Sequence, residues 1–286
     1  MSKLRPHRSV LYLPGSNARA LEKARSLPAD VLILDLEDAV APDAKETART
    51  QVCAAVRTGF GKREVAVRIN ALSSPWGDED LNQVAAARPD AILLPKVSTP
   101  RDLQDAEQRL SGAAITLWAM VETPLAILNI AAIAATGGRL ASLVMGTNDL
   151  IKEIRGSHAP DRLNLAAALG LSVLAARAHG LAIFDGVYND IGNREGFAAA
   201  CAQAKSFGFD GKTLVHPSQI EPCNAAFAPT PEELEQAKKT IAAFDAPENR
   251  GKGVLLLDGR MIERLHAENA RRLVALAEAI AELNAI

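Results

Sequence analysis

Short apolar runs recur along the chain at residues 10–13, 31–35, 64–68, 91–94, 116–121, 142–145, 182–184 and 211–215, and amphipathic, Ala-rich stretches fill the intervals. Runs such as Val31-Leu32-Ile33-Leu34 and Ala91-Ile92-Leu93-Leu94 are apolar without alternation, which suits strands buried on both faces. Strands that alternate with helical patterns predict βα units and a parallel sheet. Eight such units within about 250 residues predict a closed (β/α)8 TIM barrel rather than a doubly wound sheet. Helix starts are marked as well: Asp43 with Glu46, and Thr230 with Glu233, have the spacing of a cap and its reciprocal acid. Pro124 and Pro231 stand where a first helical residue belongs.

The pattern changes after the eighth unit. Gly251-Lys252-Gly253 interrupts it, an apolar run at 254–257 and Asp258-Gly259 follow, and a helix is predicted from about Arg260 onward. Ile262, Leu265, Leu273, Leu276, Ile280 and Leu283 fall on one face of that helix. The expected organisation is a barrel over residues 1–248 and a C-terminal segment over 249–286. That segment would be a lid over the barrel mouth, an oligomerisation contact, or a helix packed on its own barrel.

Composition narrows the field of partners. With 286 residues, 48% hydrophobic and 23% charged, the chain is an ordinary globular one. Lys+Arg of 32 against Asp+Glu of 34 leaves a net charge of −2 and no basic field for nucleic acid. The polar, basic start is not followed by a signal-peptide core, and no apolar stretch reaches membrane-spanning length. A soluble, cytoplasmic protein is expected. Cys53, Cys201 and Cys223 have no zinc or redox spacing and are expected to be buried free thiols.

In a (β/α)8 barrel the chemistry gathers where the strands end. Here those ends carry Asp35-Leu36-Glu37-Asp38, Arg68-Ile69-Asn70, Pro95-Lys96, Glu122, Gly146-Thr147-Asn148-Asp149, Asp185 and His216. Glu122 and Asp149 end adjacent strands and offer hard oxygen donors with no His or Cys beside them, which suits Mg²⁺; the alternative is a carboxylate paired with Arg68 or capping a helix. Arg68 is the natural fork for a substrate carboxylate, or else a rim ion pair. Lys96 admits a Schiff-base role, against the commoner ion pair with Glu37 or Asp38. His216, before Pro217, reads as structural.

These segments together resemble the citrate lyase β-subunit-like and malyl-CoA lyase branch of the HpcH/HpaI aldolase superfamily. The resemblance is carried, in family order, by Arg8-Ser9-Val10-Leu11-Tyr12-Leu13-Pro14-Gly15-Ser16, Leu34-Asp35-Leu36-Glu37-Asp38-Ala39-Val40, Val67-Arg68-Ile69-Asn70, Leu94-Pro95-Lys96-Val97, Val121-Glu122-Thr123-Pro124, Gly146-Thr147-Asn148-Asp149-Leu150 and Gly208-Phe209-Asp210-Gly211-Lys212-Thr213-Leu214-Val215-His216-Pro217. It implies Mg²⁺ on Glu122 and Asp149, a keto-acid carboxylate on Arg68, and Glu37, Asp38 and Lys96 just behind them. It also implies a CoA thioester near Tyr12 and Lys23, and assembly as homotrimers or homohexamers. Relatives often carry Met-Ile-Asp in the C-terminal segment as an acid–base group for a neighbouring subunit. This chain has Met261-Ile262-Glu263, a carboxylate on an arm one methylene longer.

The activity so implied is a Mg²⁺-dependent carbon–carbon lyase that cleaves malyl-, citramalyl- or citryl-CoA reversibly to a keto acid and an acyl-CoA. Arg68 would stabilise the developing oxyanion and Glu263 would carry the enolate proton. Three alternatives stand beside it: a non-catalytic or carrier-dependent subunit served by an acyl carrier protein, a CoA-independent hydroxy-keto-acid aldolase, and a malyl-CoA thioesterase built on the same site.

Overall fold

The computed structural model describes residues 4–110 and 114–285, which fall into two compact units, one of residues 7–227 and one of residues 4–6 with 228–285. The first is the barrel. Its strands are β1 (Ser9–Pro14), β2 (Val31–Asp35), β3 (Glu64–Arg68), β4 (Ala91–Leu94), β5 (Thr116–Val121), β6 (Leu140–Met145), β7 (Ala182–Asp185) and β8 (Gly211–Leu214). Each pairs in parallel with the next and β1 closes on β8. Every predicted strand is present. The helices are α1 (Ala18–Lys23), α2 (Lys45–Thr58), α3 (Gly77–Ala87), α4 (Pro100–Arg109), α5 (Pro124–Leu128), α6 (Ile130–Ala134), α7 (Thr147–Glu153), α8 (Ala166–Ala178), α9 (Arg194–Phe207) and α10 (Ile220–Phe227).

Strand parity organises the interior, because successive side chains point to opposite faces. Val10, Val31, Ile33, Ala66, Ala91, Leu93, Trp118, Met120, Val144 and Phe184 point inward and fill the barrel, while the intervening residues pack under the helices. His7 closes the N-terminal end. Its ring meets Phe184 edge-on at 5.2 Å and Trp118 at 6.4 Å, and its Nε2 lies 2.7 Å from Glu64. Gly211 is a glycine for a simple reason: a Cβ there would run into the His7 carbonyl.

Two helix starts behave as the sequence suggests and one does not. Thr123 caps α5 with Pro124 at its first position, and Thr230 with Glu233 forms a reciprocal capping box. Asp43 is no cap. It lies in a single 3-10 turn (Pro42–Ala44), and α2 begins two residues later without a side-chain cap.

The second unit contains α11 (Pro231–Asp245), a hairpin of β9 (Val254–Leu257) and β10 (Arg260–Glu263), and α12 (Arg264–Asn284), which packs along α11. Its first helix therefore lies ahead of the 248/249 division expected from the sequence. The last helix also starts later than Arg260. Asp258 and Gly259 have φ of 52° and 74°, the paired positive values of a type I′ turn, and they fold 260–263 back as a strand. Ile262 is thus a buried strand residue, and α12 buries Ala267, Ala270 and Ala279 more deeply than the leucines of the predicted stripe. No helix among the described residues is long and apolar enough to cross a membrane.

Candidate active site

Parity also decides which polar groups enter the barrel mouth. Continuing the inward rows carries Val10 to Tyr12, Val31 and Ile33 to Asp35, Ala66 to Arg68, and Trp118 and Met120 to Glu122. Asp35 and Arg68 are register partners on β2 and β3, and they meet in a two-pronged bond: Nε donates to Oδ1 at 2.7 Å and Nη2 to Oδ2 at 2.6 Å. The edge of Arg68 expected to grip a substrate carboxylate is therefore occupied by Asp35. Nη1 remains, 3.0 Å from Glu37 Oε2 and 3.6 Å from Asp38. Burial works against the Arg68 charge, but Asp35 and its neighbours outweigh it and hold the guanidinium protonated.

Glu37 is the least settled member of this group. It is buried, which raises its carboxyl above the usual range against the pull of Arg68. Oε1 lies 3.5 Å from Lys96 Nζ, and Oε2 is buried without a hydrogen bond because the Arg68 contact is not aligned for one. Lys96 thus takes the ion-pair position; burial disfavours its charge, but Glu37, Asp38 and Glu122 outweigh that and raise its pKa. Its backbone is left-handed (φ 55°), a strained conformation for a non-glycine residue, and its N–H donates to Glu122 Oε1 at 2.7 Å. Tyr12 lies beneath Arg68, ring centroid 5.0 Å from the guanidinium carbon. That places Tyr12 inside the barrel, and Lys23 is exposed at the end of the outer helix α1.

Glu122 is 2% exposed, and burial followed by the charge of Glu37 pushes its carboxyl up to about 7. Its carboxylate lies across the end of β6 because residue 146 is glycine; a Cβ there would collide with Glu122 itself. Asp149 follows in the first turn of α7, half-buried, and its charge is felt at Glu122. Among the described residues no group of three or more His, Cys, Asp and Glu forms a closed metal cage. Glu122 after β5 and Asp149 in α7 are hard oxygen donors of the kind Mg²⁺ takes beside several waters or substrate oxygens.

Two rim candidates lie elsewhere. Asp185 follows the inward Phe184 and so faces outward, fully buried between sheet and helices. It accepts from Lys212 Nζ at 2.7 Å and from Arg162 Nη1 at 2.7 and 2.8 Å. Burial disfavours its charge, but the two cations prevail and hold its pKa below the usual range. His216 caps the 3-10 turn Pro217–Gln219, its Nδ1 accepting from the Ser218 backbone N–H at 3.2 Å. Glu263, in the second unit, ends β10 and caps α12, its backbone N–H donating to His266 Nδ1 at 2.9 Å.

Sequence reasoning passes over Asp35 as a functional partner, although its parity with Val31 and Ile33 already aims it at the mouth. It also passes over Lys45. That residue opens α2, where a cation opposes the helix dipole, and it is nevertheless buried.

Known proteins resemble this chain over most of its length. A family model described as HpcH/HpaI aldolase/citrate lyase matches residues 8–217. The chain is 51% identical to a (3S)-malyl-CoA thioesterase of Cereibacter sphaeroides (strain KD131 / KCTC 12085), over 98% of each chain. It is 35% identical to citrate lyase subunit beta of Escherichia coli K12, over 96% of this chain and 95% of that one. The crystal structure of the Mycobacterium tuberculosis protein CitE in complex with magnesium, acetoacetate and coenzyme A superposes with a TM-score of 0.79 at 28% identity, covering 96% of this chain and all of that one. With a barrel of this topology and these strand-end motifs in order, the chain belongs to the HpcH/HpaI aldolase/citrate lyase family.

Proposed function

We propose that this protein is a Mg²⁺-dependent enzyme acting on the CoA thioester of a hydroxy-dicarboxylic acid, with malyl-CoA as the type substrate and hydrolysis of the thioester as its reaction. The observation that carries this reading is that Glu122 follows β5 and Asp149 lies in the first turn of α7 with its charge felt at Glu122, while Arg68 Nη1 lies 3.0 Å from Glu37 Oε2. The relative named a malyl-CoA thioesterase, 51% identical over nearly its whole length, supports hydrolysis as the reaction.

Glu122 and Asp149 would hold the ion, which supplies charge stabilisation and orientation for the substrate oxygens. Arg68 Nη1 would stabilise the oxyanion that forms when water adds to the thioester carbonyl. Glu37, with an open lone pair on Oε2 and a carboxyl raised by burial, would take the water proton as general base. The new C–O bond forms, the C–S bond breaks, and the CoA thiolate leaves and takes a proton, giving malate and free CoA. Tyr12 would shield the far face of Arg68 from water, and exposed Lys23 remains the cation for the CoA phosphates.

The second reading is carbon–carbon cleavage to glyoxylate and acetyl-CoA, favoured by the relatives named citrate lyase subunit beta. In that reaction Glu263 would deliver a proton to the enolate carbon from a second copy of the chain. Homotrimers or homohexamers accord with the outer face of α8, which bears Leu171 at 50% and Leu174 at 68% exposure and no charge before Arg177. They accord equally with the hairpin, where Val254, Leu256 and Met261 are exposed on the same face as Glu263.

The two readings separate by product. Purified protein is incubated with malyl-, citramalyl- and citryl-CoA, with Mg²⁺ or with EDTA, and the products are resolved by liquid chromatography. Malate with free CoA, lost in EDTA, is expected. Glyoxylate with acetyl-CoA replaces the first reading with the second, and turnover only of an acyl-carrier-bound substrate would assign a carrier-dependent subunit.

A further inference from the structure

Lys45 breaks two local rules at once. It places a cation at the positive end of α2, and it buries that cation to 6% exposure, with burial lowering its pKa. What it gains is two main-chain acceptors. Its Nζ donates to Leu36 O at 2.8 Å and to Glu37 O at 2.7 Å, the two carbonyls that follow β2, and the ammonium lies 5.4 Å from the Trp76 ring centroid. The Leu36 carbonyl also accepts from Asn70 Nδ2 at 2.9 Å. Asn70 is fixed in turn by the fully buried Asp80, which receives Arg49 Nε at 2.6 Å. Residues of α2, the β3 loop and α3 thus converge on the backbone of residues 36–37 and leave the Glu37 side chain pointing at Arg68 and Lys96.

We propose that Lys45 is a positioning residue for the reaction: by holding the Leu36 and Glu37 carbonyls it sets the Glu37 carboxylate against Arg68 Nη1. Lys45 itself does not touch the reacting atoms. This deepens the functional reading above and rests on it for the kinetic readout only, because the hold on the backbone is measurable without substrate.

The test is a double-mutant cycle of Lys45→Met and Glu37→Gln, read in two ways. Hydrogen exchange followed by mass spectrometry reports peptides covering residues 36–40 and, as internal reference, the barrel strands. The steady-state kinetics of malyl-CoA turnover supply the second readout. In K45M the 36–40 amides are expected to exchange about tenfold faster while the strands stay protected. The kcat is expected to fall about 10- to 100-fold with KM within about twofold, as displacement of a reacting group by a fraction of an ångström predicts. In the E37Q background the same substitution should cost less than about twofold, because the group it positions is already lost. Unchanged exchange at 36–40, exchange rising equally in the strands, or kinetic losses that simply multiply would each overturn the proposal. A wild-type protein that turns over no thioester would overturn the functional reading, while the exchange result still decides whether Lys45 holds this segment. Should K45M not fold, Lys45→Leu, which likewise removes the donor, takes its place in the cycle, and the same outcomes support or overturn the proposal.

Discussion

Two clusters of the same residue types sit at strand ends of this barrel, and they have opposite characters. At the mouth, Asp35, Glu37 and Glu122 share Arg68 and Lys96, and the balance is left open: Glu37 Oε2 has no hydrogen bond and Glu122 is pushed up to about 7. Behind β7 and β8, Asp185 is locked between Lys212 and Arg162, and its pKa is pulled below the usual range. A single step of strand parity separates the two. Phe184 points inward and Asp185 outward, whereas Met120 points inward and carries Glu122 with it. At the mouth Asp35 is filled by Arg68, but Glu37 and Glu122 keep hydrogen-bonding capacity and a raised pKa and can do chemistry, while the outward Asp185 is saturated and joins strands to helices.

The sharpest way to break this comparison is to remove a carboxylate from each cluster. Glu122→Ala should cut Mg²⁺-dependent turnover by about 100- to 1,000-fold or more, since a preorganised charge at the reacting centre is lost. Steady-state assay at saturating Mg²⁺ checks this, and a loss below tenfold would remove Glu122 from the site. Asp185→Asn should do the reverse. Turnover of the folded protein stays within about threefold, but two buried cations lose their partner and stability falls by about 3–5 kcal/mol, measured by urea unfolding.

A smaller effect tests the sign of the two pKa shifts. The raised carboxyl of Glu122 favours its protonated form in the folded state, so its contribution to stability is present below the unfolded value of 4.5 and is lost as pH rises through about 7. Without Mg²⁺, Glu122→Gln should therefore stabilise the protein by roughly 2–3 kcal/mol at pH 8 and by little at pH 4.5. The lowered carboxyl of Asp185 acts in the opposite direction: its contribution is present at neutral pH and disappears as pH falls through its depressed folded value. Thermal unfolding of E122Q against wild type across this range reads the difference directly.

Much of this is legible in the residues. The strands follow from apolar runs that need burial on both faces, and four of them, β2 to β5, begin and end where the pattern places them. The mouth is legible only as a set of strand ends, because a polar residue after an apolar run does not by itself declare its parity; Asp185 enters the candidate rim on that account, and Asp35 enters it without its role as the partner of Arg68. The two-pronged Asp35–Arg68 bond depends on the register between β2 and β3, which no single segment contains. Lys45 is hidden for a different reason. Its acceptors are main-chain carbonyls, and main-chain acceptors carry no residue-type signal. The Asp258-Gly259 turn is fully visible as a hairpin signal and is outweighed by the helical spacing that follows it.

The pairing of β1 with β8 also has a consequence for the making of the protein. Strand β1 leaves the ribosome well before β8, so one of its two edges is completed only by residues roughly two hundred positions later. At about 5–20 residues per second, that edge stands open for on the order of 10–40 s while the rest of the barrel is being synthesised. An open, apolar parallel edge is a template for pairing with a neighbouring nascent chain. The interval before Gly211 emerges and settles against the His7 carbonyl is therefore when this protein most needs a chaperone, and slowing translation between β7 and β8 should lower its soluble yield.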